Sequence, residues 1–70
     1  MEDGVYSVYD KTAREYGPVF QSVNDGVARR AVLHLLAKVP AYDRDAYQLC
    51  KVGSFDTERG VMKVDFHSIS

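Results

Sequence analysis

This chain has little with which to staple a small fold together. Cys50 is its only cysteine in 70 residues, so no disulfide can form within it, which fits a reducing compartment or indifference to redox state. A chain of this length buries only about 60% of the surface it exposes when unfolded, so its core is marginal unless something supplements it. No stretch approaches the roughly 20 apolar residues needed to span a bilayer. The opening MEDGVYSVYD has no basic segment followed by an apolar run, so the expectation is an intracellular, soluble protein. Charge of one sign is also lacking. Nine Lys and Arg stand against ten Asp and Glu, a net charge of −1, which excludes a domain-wide attraction to nucleic acid or anionic membrane and leaves room only for a local patch. With no low-complexity run, no Pro- or Gly-rich linker and no block of like charges, residues 1–70 read as a single domain.

The clearest element present is NDGVARRAVLHLLAKVP. Val27, Ala28, Ala31, Val32, Leu35, Leu36 and Val39 recur at i, i+3 and i+4 and form one broad apolar face, which predicts a helix over about 25–39. Asn24 is placed to cap its start, Asp25 suits the positive end of its dipole and Lys38 the negative end. Pro40 sets the stop, since a residue preceding proline avoids the helical region. A loop over about 40–46 follows.

The flanking segments read as two hairpins, over about 5–22 and about 47–67. Each contains nearly the same phrase: VYDKTAREYGPVF in the first and SFDTERGVMKVDF in the second. In both, an aromatic residue and an Asp end one strand, a polar run turns the chain, and apolar residues begin the next. Duplication of one hairpin or shared turn chemistry would each give this repeat, and shared chemistry is favoured because Asp, Thr and Gly are common turn residues, with Gly60 available for a positive φ in the second copy. Pro18 cannot donate to a ladder, so its strand is expected at a sheet edge or at a bulge. The fold class is α+β, in the order ββαββ: a small antiparallel sheet of two hairpins with one helix packed across one face.

Catalytic chemistry finds little support. His34, Cys50 and His67 have no neighbours at metal-ligand spacing, and a lone strand cysteine is most simply a small buried hydrophobe. The carboxylates Asp10, Glu15, Asp43, Asp45, Asp56 and Glu58 fall in turns, where capping or solvation explains them. No Gly-rich loop joins a strand to a helix. The expectation is a protein with no catalytic residues, no metal and no cofactor.

Two surfaces remain. Tyr6, Tyr9, Tyr16, Phe20, Phe55 and Phe66 lie in the hairpins, and alternation sends about half of the strand side chains to the face without a helix. Aromatics on an open sheet can stack bases, although packing under the helix or against a partner is the simpler account. On the back of the helix, Leu33 and Ala37 lie opposite the apolar stripe, bordered by Arg29, Arg30 and His34. The candidate nucleic-acid contacts are Arg29, Arg30 and Lys38 on the helix and Arg14 and Arg59 in the turns. A homo-oligomer would supplement an unstapled core, with either the back of the helix (Leu33, Ala37) or the open sheet face (Tyr9, Phe20) as its candidate interface.

The residues also carry a resemblance. Y-x-V-[YF]-D near the start, a Pro-[VI]-Phe strand, and Y-x-L-x-[KR]-[VI]-G-x-[FY]-D, matched by Tyr47, Leu49, Lys51, Val52, Gly53, Phe55 and Asp56, together resemble the small nonstructural protein of gokushovirus-type microviruses. The likeness runs chiefly from Tyr6 to Asp56. It departs at Cys50, where an aromatic is common in that family, and at the terminal HSIS. It implies a bacteriophage protein of the host bacterial cytoplasm, an accessory of single-stranded DNA genome replication that binds DNA or a phage or host replication protein. The alternative is a protein-interaction module, a homo-oligomer binding a phage or host factor with no nucleic-acid contact. Net charge favours the second and the resemblance the first.

Overall fold

In the computed structural model, which describes residues 1–69, strand β1 (Glu2–Asp10) is the member to which most of the sheet attaches. The chain continues through β2 (Glu15–Tyr16), β3 (Phe20–Ser22), helix α1 (Asp25–Leu36), a 3₁₀ turn (Ala41–Ala46), β4 (Tyr47–Asp56) and β5 (Val61–Ser68). Every pairing is antiparallel. The sheet order is β2-β1-β4-β5, and β3 pairs with β1 further along the edge that β2 occupies.

This is the expected small α+β fold with one principal helix, but the second strand differs from expectation. It breaks into β2 and β3 around Gly17-Pro18-Val19, because Pro18 has no N–H to give the ladder. The Gly17 N–H still donates to the Val8 carbonyl at 2.9 Å, which keeps the broken strand attached to β1.

The helix begins as its sequence directs. The Asn24 side chain accepts from the Val27 N–H at 2.9 Å, and Asp25 occupies the first turn. It ends at Leu36, short of the expected position 39. The turn beyond tightens to three-residue bonds, Lys38 N–H to Leu35 carbonyl and Val39 N–H to Leu36 carbonyl. Arg44 then reaches back, its Nε donating to the carbonyls of Leu36 at 3.0 Å and Val39 at 3.1 Å. The helix is thus closed by an arginine from the next element, before Pro40 is reached.

Tyr6, Ala28, Val32 and Leu49 form the buried cluster between helix and sheet, with Val8, Phe20, Leu36 and Ile69 packed around it. Ala28, Val32 and Leu36 are spaced by four residues and point at the sheet. Leu35, expected in the same stripe, is 62% exposed. The stripe in contact is narrower than the apolar pattern because a four-residue row already covers the strands available beneath it. Leu35 overhangs the edge, above the break at Pro18.

The sheet curls, and β4 shows why. Tyr6 pairs with Lys51 and Val5 with Gly53, so Val52 is skipped by the register toward β1, and the register toward β5 is also irregular between Lys51 and Gly53. A residue skipped in this way bends its strand and increases local twist. At Gly53 the neighbouring backbone comes so close that a Cβ would run into the Lys63 carbonyl oxygen. The Lys51-Val52-Gly53 run is therefore the corner of the sheet.

The repeated phrase forms the same turn twice. Asp10 Oδ1 accepts from the N–H groups of Thr12 and Ala13, and the Arg14 N–H donates to the Asp10 carbonyl. Asp56 Oδ1 accepts from Glu58 and Arg59, and the Gly60 N–H donates to the Asp56 carbonyl. The fifth residue is left-handed in both, with φ of 60° at Arg14 and 68° at Gly60. The two copies of the phrase thus share one turn geometry. The two donors to the Asp56 carboxylate hold its pKa below the ordinary aspartate value.

Candidate functional site

Alternation along β1 sends Tyr6 and Val8 toward the helix and Val5, Ser7 and Tyr9 to the opposite face. Tyr9 stands directly across from Tyr16 in the ladder, and their ring centroids are 4.7 Å apart. Tyr16 in turn meets Phe66 of β5 edge-on at 5.9 Å. The Ser7 hydroxyl donates to the Gly17 carbonyl at 2.9 Å, fixing the backbone next to Tyr16. Ser7, Tyr16, Gly17, Val19, Val52 and Phe66 line an open cavity of about 410 Å³ on this helix-free face. A smaller hollow beside it includes Val5, Val19, Phe55 and Met62. Tyr16 is 51% and Phe66 52% exposed, so both rings offer surface to a ligand while supporting each other.

The helix-covered face is different in kind. Tyr6 is fully buried, stacked on Phe20 with centroids 5.8 Å apart, and its hydroxyl donates to Asp25 Oδ1 at 2.6 Å. Burial, reinforced by the Asp25 carboxylate, pushes the Tyr6 phenol up to about 12. Lys51 Nζ lies 3.9 Å from the same carboxylate oxygen, so a tyrosine and a lysine from two strands converge on the helix N-terminus. A second apolar groove, of about 410 Å³, runs between helix and broken edge, lined by Val8, Tyr16, Pro18, Phe20, Leu35 and Tyr47.

The residues singled out in sequence are dispersed. Arg29 and Arg30 are exposed on α1, and Lys38 is exposed in the turn after it. Arg14 and Arg59 lie in the two hairpin turns, at opposite ends of the sheet, since Asp10 pairs with Tyr47 and Glu2 with Asp56. Arg59 Nε sits 3.9 Å from Asp56 Oδ2. Leu33 is exposed on the helix, and Ala37 is its C-cap. Tyr9 belongs to the helix-free face, whereas Phe20 packs against the core beneath the helix. Of the six aromatics singled out in the hairpins, Tyr9, Tyr16 and Phe66 form one cluster on the open face. That grouping depends on the curl at Val52, which no local pattern announces. Cys50 is buried, its thiol directed at the Gln48 carbonyl at 3.7 Å.

These features define a small α+β protein in which one helix backs a curled antiparallel sheet and the other sheet face is left open, apolar and aromatic. The chain belongs to the Phage ORF5 protein family, whose family model matches residues 3–68, and it is accordingly a phage protein. No curated protein and no solved structure matches it. Among the described residues, no helix is long and apolar enough to cross a membrane.

Proposed function

We infer that this chain is a nonenzymatic phage accessory protein that acts in single-stranded DNA genome replication in the cytoplasm of the host bacterium, with the helix-free sheet face as its working surface. The observation that carries this reading is the Tyr9-Tyr16-Phe66 cluster: Tyr16 touches both other rings on the helix-free antiparallel face, and Tyr16 and Phe66 are half exposed. Such rings are the surfaces on which single-stranded bases stack, at about 1–3 kcal/mol per base. Membership of a phage family and the resemblance to the microvirus nonstructural protein supply the biological setting. No cofactor is required for this role.

A second reading, a module that binds a phage or host replication protein without touching DNA, draws on the placement of charge. Phosphate contacts dominate nucleic-acid affinity, yet Arg29, Arg30, Lys38, Arg14 and Arg59 are spread over the helix, the turn after it and opposite ends of the sheet. Fluorescence anisotropy with a short labelled oligo-dT at low and moderate salt decides between them. Salt-dependent binding that is lost in Tyr16→Ala and Phe66→Ala supports the DNA role. Absence of binding at low salt by the folded parent protein overturns it and leaves the protein-interaction reading.

A further inference from the structure

We propose that β5 is a self-recognition edge, and that two copies of this chain pair antiparallel along it, about a two-fold axis through Val64 perpendicular to the sheet, to form one continuous sheet. The inference is independent of what the helix-free face binds.

The two edges of the sheet are unlike. One consists of the two-residue β2 and the three-residue β3, interrupted at Pro18, which is how natural proteins blunt an edge. The other is β5, eight residues long and without proline, with all its residues exposed and β4 as its only strand partner among the described residues; its register on β4 is irregular between Val64 and His67, but its side chains keep alternating through that stretch. Its outer row of backbone N–H and C=O groups is a template for another strand.

The sequence of β5 selects the occupant and the register. Met62, Val64 and Phe66 point to the helix-free face, since Met62 pairs with Phe55, Val64 with Gly53, and Phe66 meets Tyr16. Lys63, Asp65 and His67 point the other way: Lys63 Nζ lies 3.7 Å from Glu2, and His67 pairs with Lys51. Antiparallel pairing centred on Val64 sets Lys63 against Asp65 of the second copy, and symmetry repeats that pair. On the opposite face it sets Met62 against Phe66, again twice, with Val64 against itself. Every cross-strand neighbour among these five residues is then complementary. Shifting the centre to Lys63 or to Asp65 places like charges directly opposite, which disfavours those registers. A centre between residues would mix the two faces and is excluded by the period of two. The strand is thus self-complementary in the way an isologous two-fold contact requires, and Val64, 81% exposed in the single chain, lies at its centre.

Sedimentation equilibrium of the full chain over a micromolar concentration series, with circular dichroism to confirm folding, tests the contact. The parent is expected to dimerise. Asp65→Lys, which opposes two lysines, and Lys63→Asp, which opposes two aspartates, should each weaken the dimer about tenfold or more. An equimolar mixture of the two variants should restore it as a heterodimer, a result that damage to the fold cannot mimic. In a Cys50→Ser background, Val64→Cys should cross-link rapidly on mild oxidation, because residues facing each other across such a ladder lie within disulfide reach. Met62→Cys should not, since two such positions would be separated by about four residues of strand, roughly 14 Å. A monomer mass for the parent at high micromolar concentration, unrestored mixtures, or equal cross-linking at the two positions overturns the proposal.

Discussion

The rings of Tyr16 and Phe66 meet edge-on with centroids 5.9 Å apart, although the strands that carry them are separated by β1 and β4. In a flat sheet three strand intervals would set their backbones roughly 14 Å apart. The contact therefore depends on the curl at Val52 and Gly53, and in return it closes the curled face. An edge-to-face pair contributes about 0.5–1.5 kcal/mol beyond its area. A double-mutant cycle on stability with Tyr16→Ala and Phe66→Ala should return a coupling in that range. Additive effects of the two substitutions would show that the rings are neighbours without energetic consequence.

The two hairpin turns differ at their left-handed residue, which is Arg14 in one and Gly60 in the other. A side chain at φ of 60° carries a steric penalty of about 1–2 kcal/mol that glycine escapes, offset partly by the greater freedom glycine has when unfolded. Arg14→Gly should therefore raise the denaturation midpoint by a stabilisation of up to about 1 kcal/mol, and Gly60→Ala should lower it by about 1 kcal/mol. A destabilised Arg14→Gly protein would mean that the arginine side chain makes a contact that outweighs its backbone strain.

Tyr6 links pH to stability. Its phenol is raised from 10.0 to about 12 in the folded chain, so below pH 10 it is protonated in both states and its contribution is fully present. As pH rises from 10 to 12 the unfolded state alone loses the proton, and stability falls by up to about 2–3 kcal/mol. Tyr6→Phe should unfold more easily at neutral pH, having lost the hydrogen bond to Asp25 and left Lys51 as that carboxylate's remaining neighbour, but should lose less stability over the alkaline range. Denaturation midpoints measured at pH 8, 10 and 12 on both proteins check this by the difference in slope. Parallel alkaline losses would show that Tyr6 does not carry the pH dependence.

Much of the fold was legible because its signals are local. Asn24 ahead of an apolar stripe caps the helix, and Asp10 and Asp56 turn their hairpins by accepting from N–H groups two and three residues on. What sequence did not carry depends on residues distant along the chain. Arg44 closes the helix from the next element, and Tyr16 finds Phe66 only once β4 has bent. Pro18 correctly marked an irregular edge strand, yet its effect, two separate strands β2 and β3 paired to different parts of β1, shows only in the ladder itself. Arg14 and Arg59 are each marked only by a local turn, and nothing in their spacing along the chain says that the two turns lie at opposite ends of the sheet.

The apolar stripe on α1 is buried along only part of its width. Leu35 and Leu49 are the same residue type, but Leu49 is 4% exposed within the cluster around Tyr6, whereas Leu35 is 62% exposed above the Pro18 edge. Truncating Leu49 removes buried methyl groups and leaves a cavity, so Leu49→Ala should destabilise by about 2–5 kcal/mol. Leu35→Ala removes little buried area, and alanine is the better helix former, so its effect should stay within about 0.5 kcal/mol of the parent. Urea denaturation of both variants at neutral pH separates the sites. If Leu35→Ala lowered the midpoint as far as Leu49→Ala, the helix would have to be rolled toward the broken edge in solution, and the groove between Leu35 and Pro18 would be part of the core.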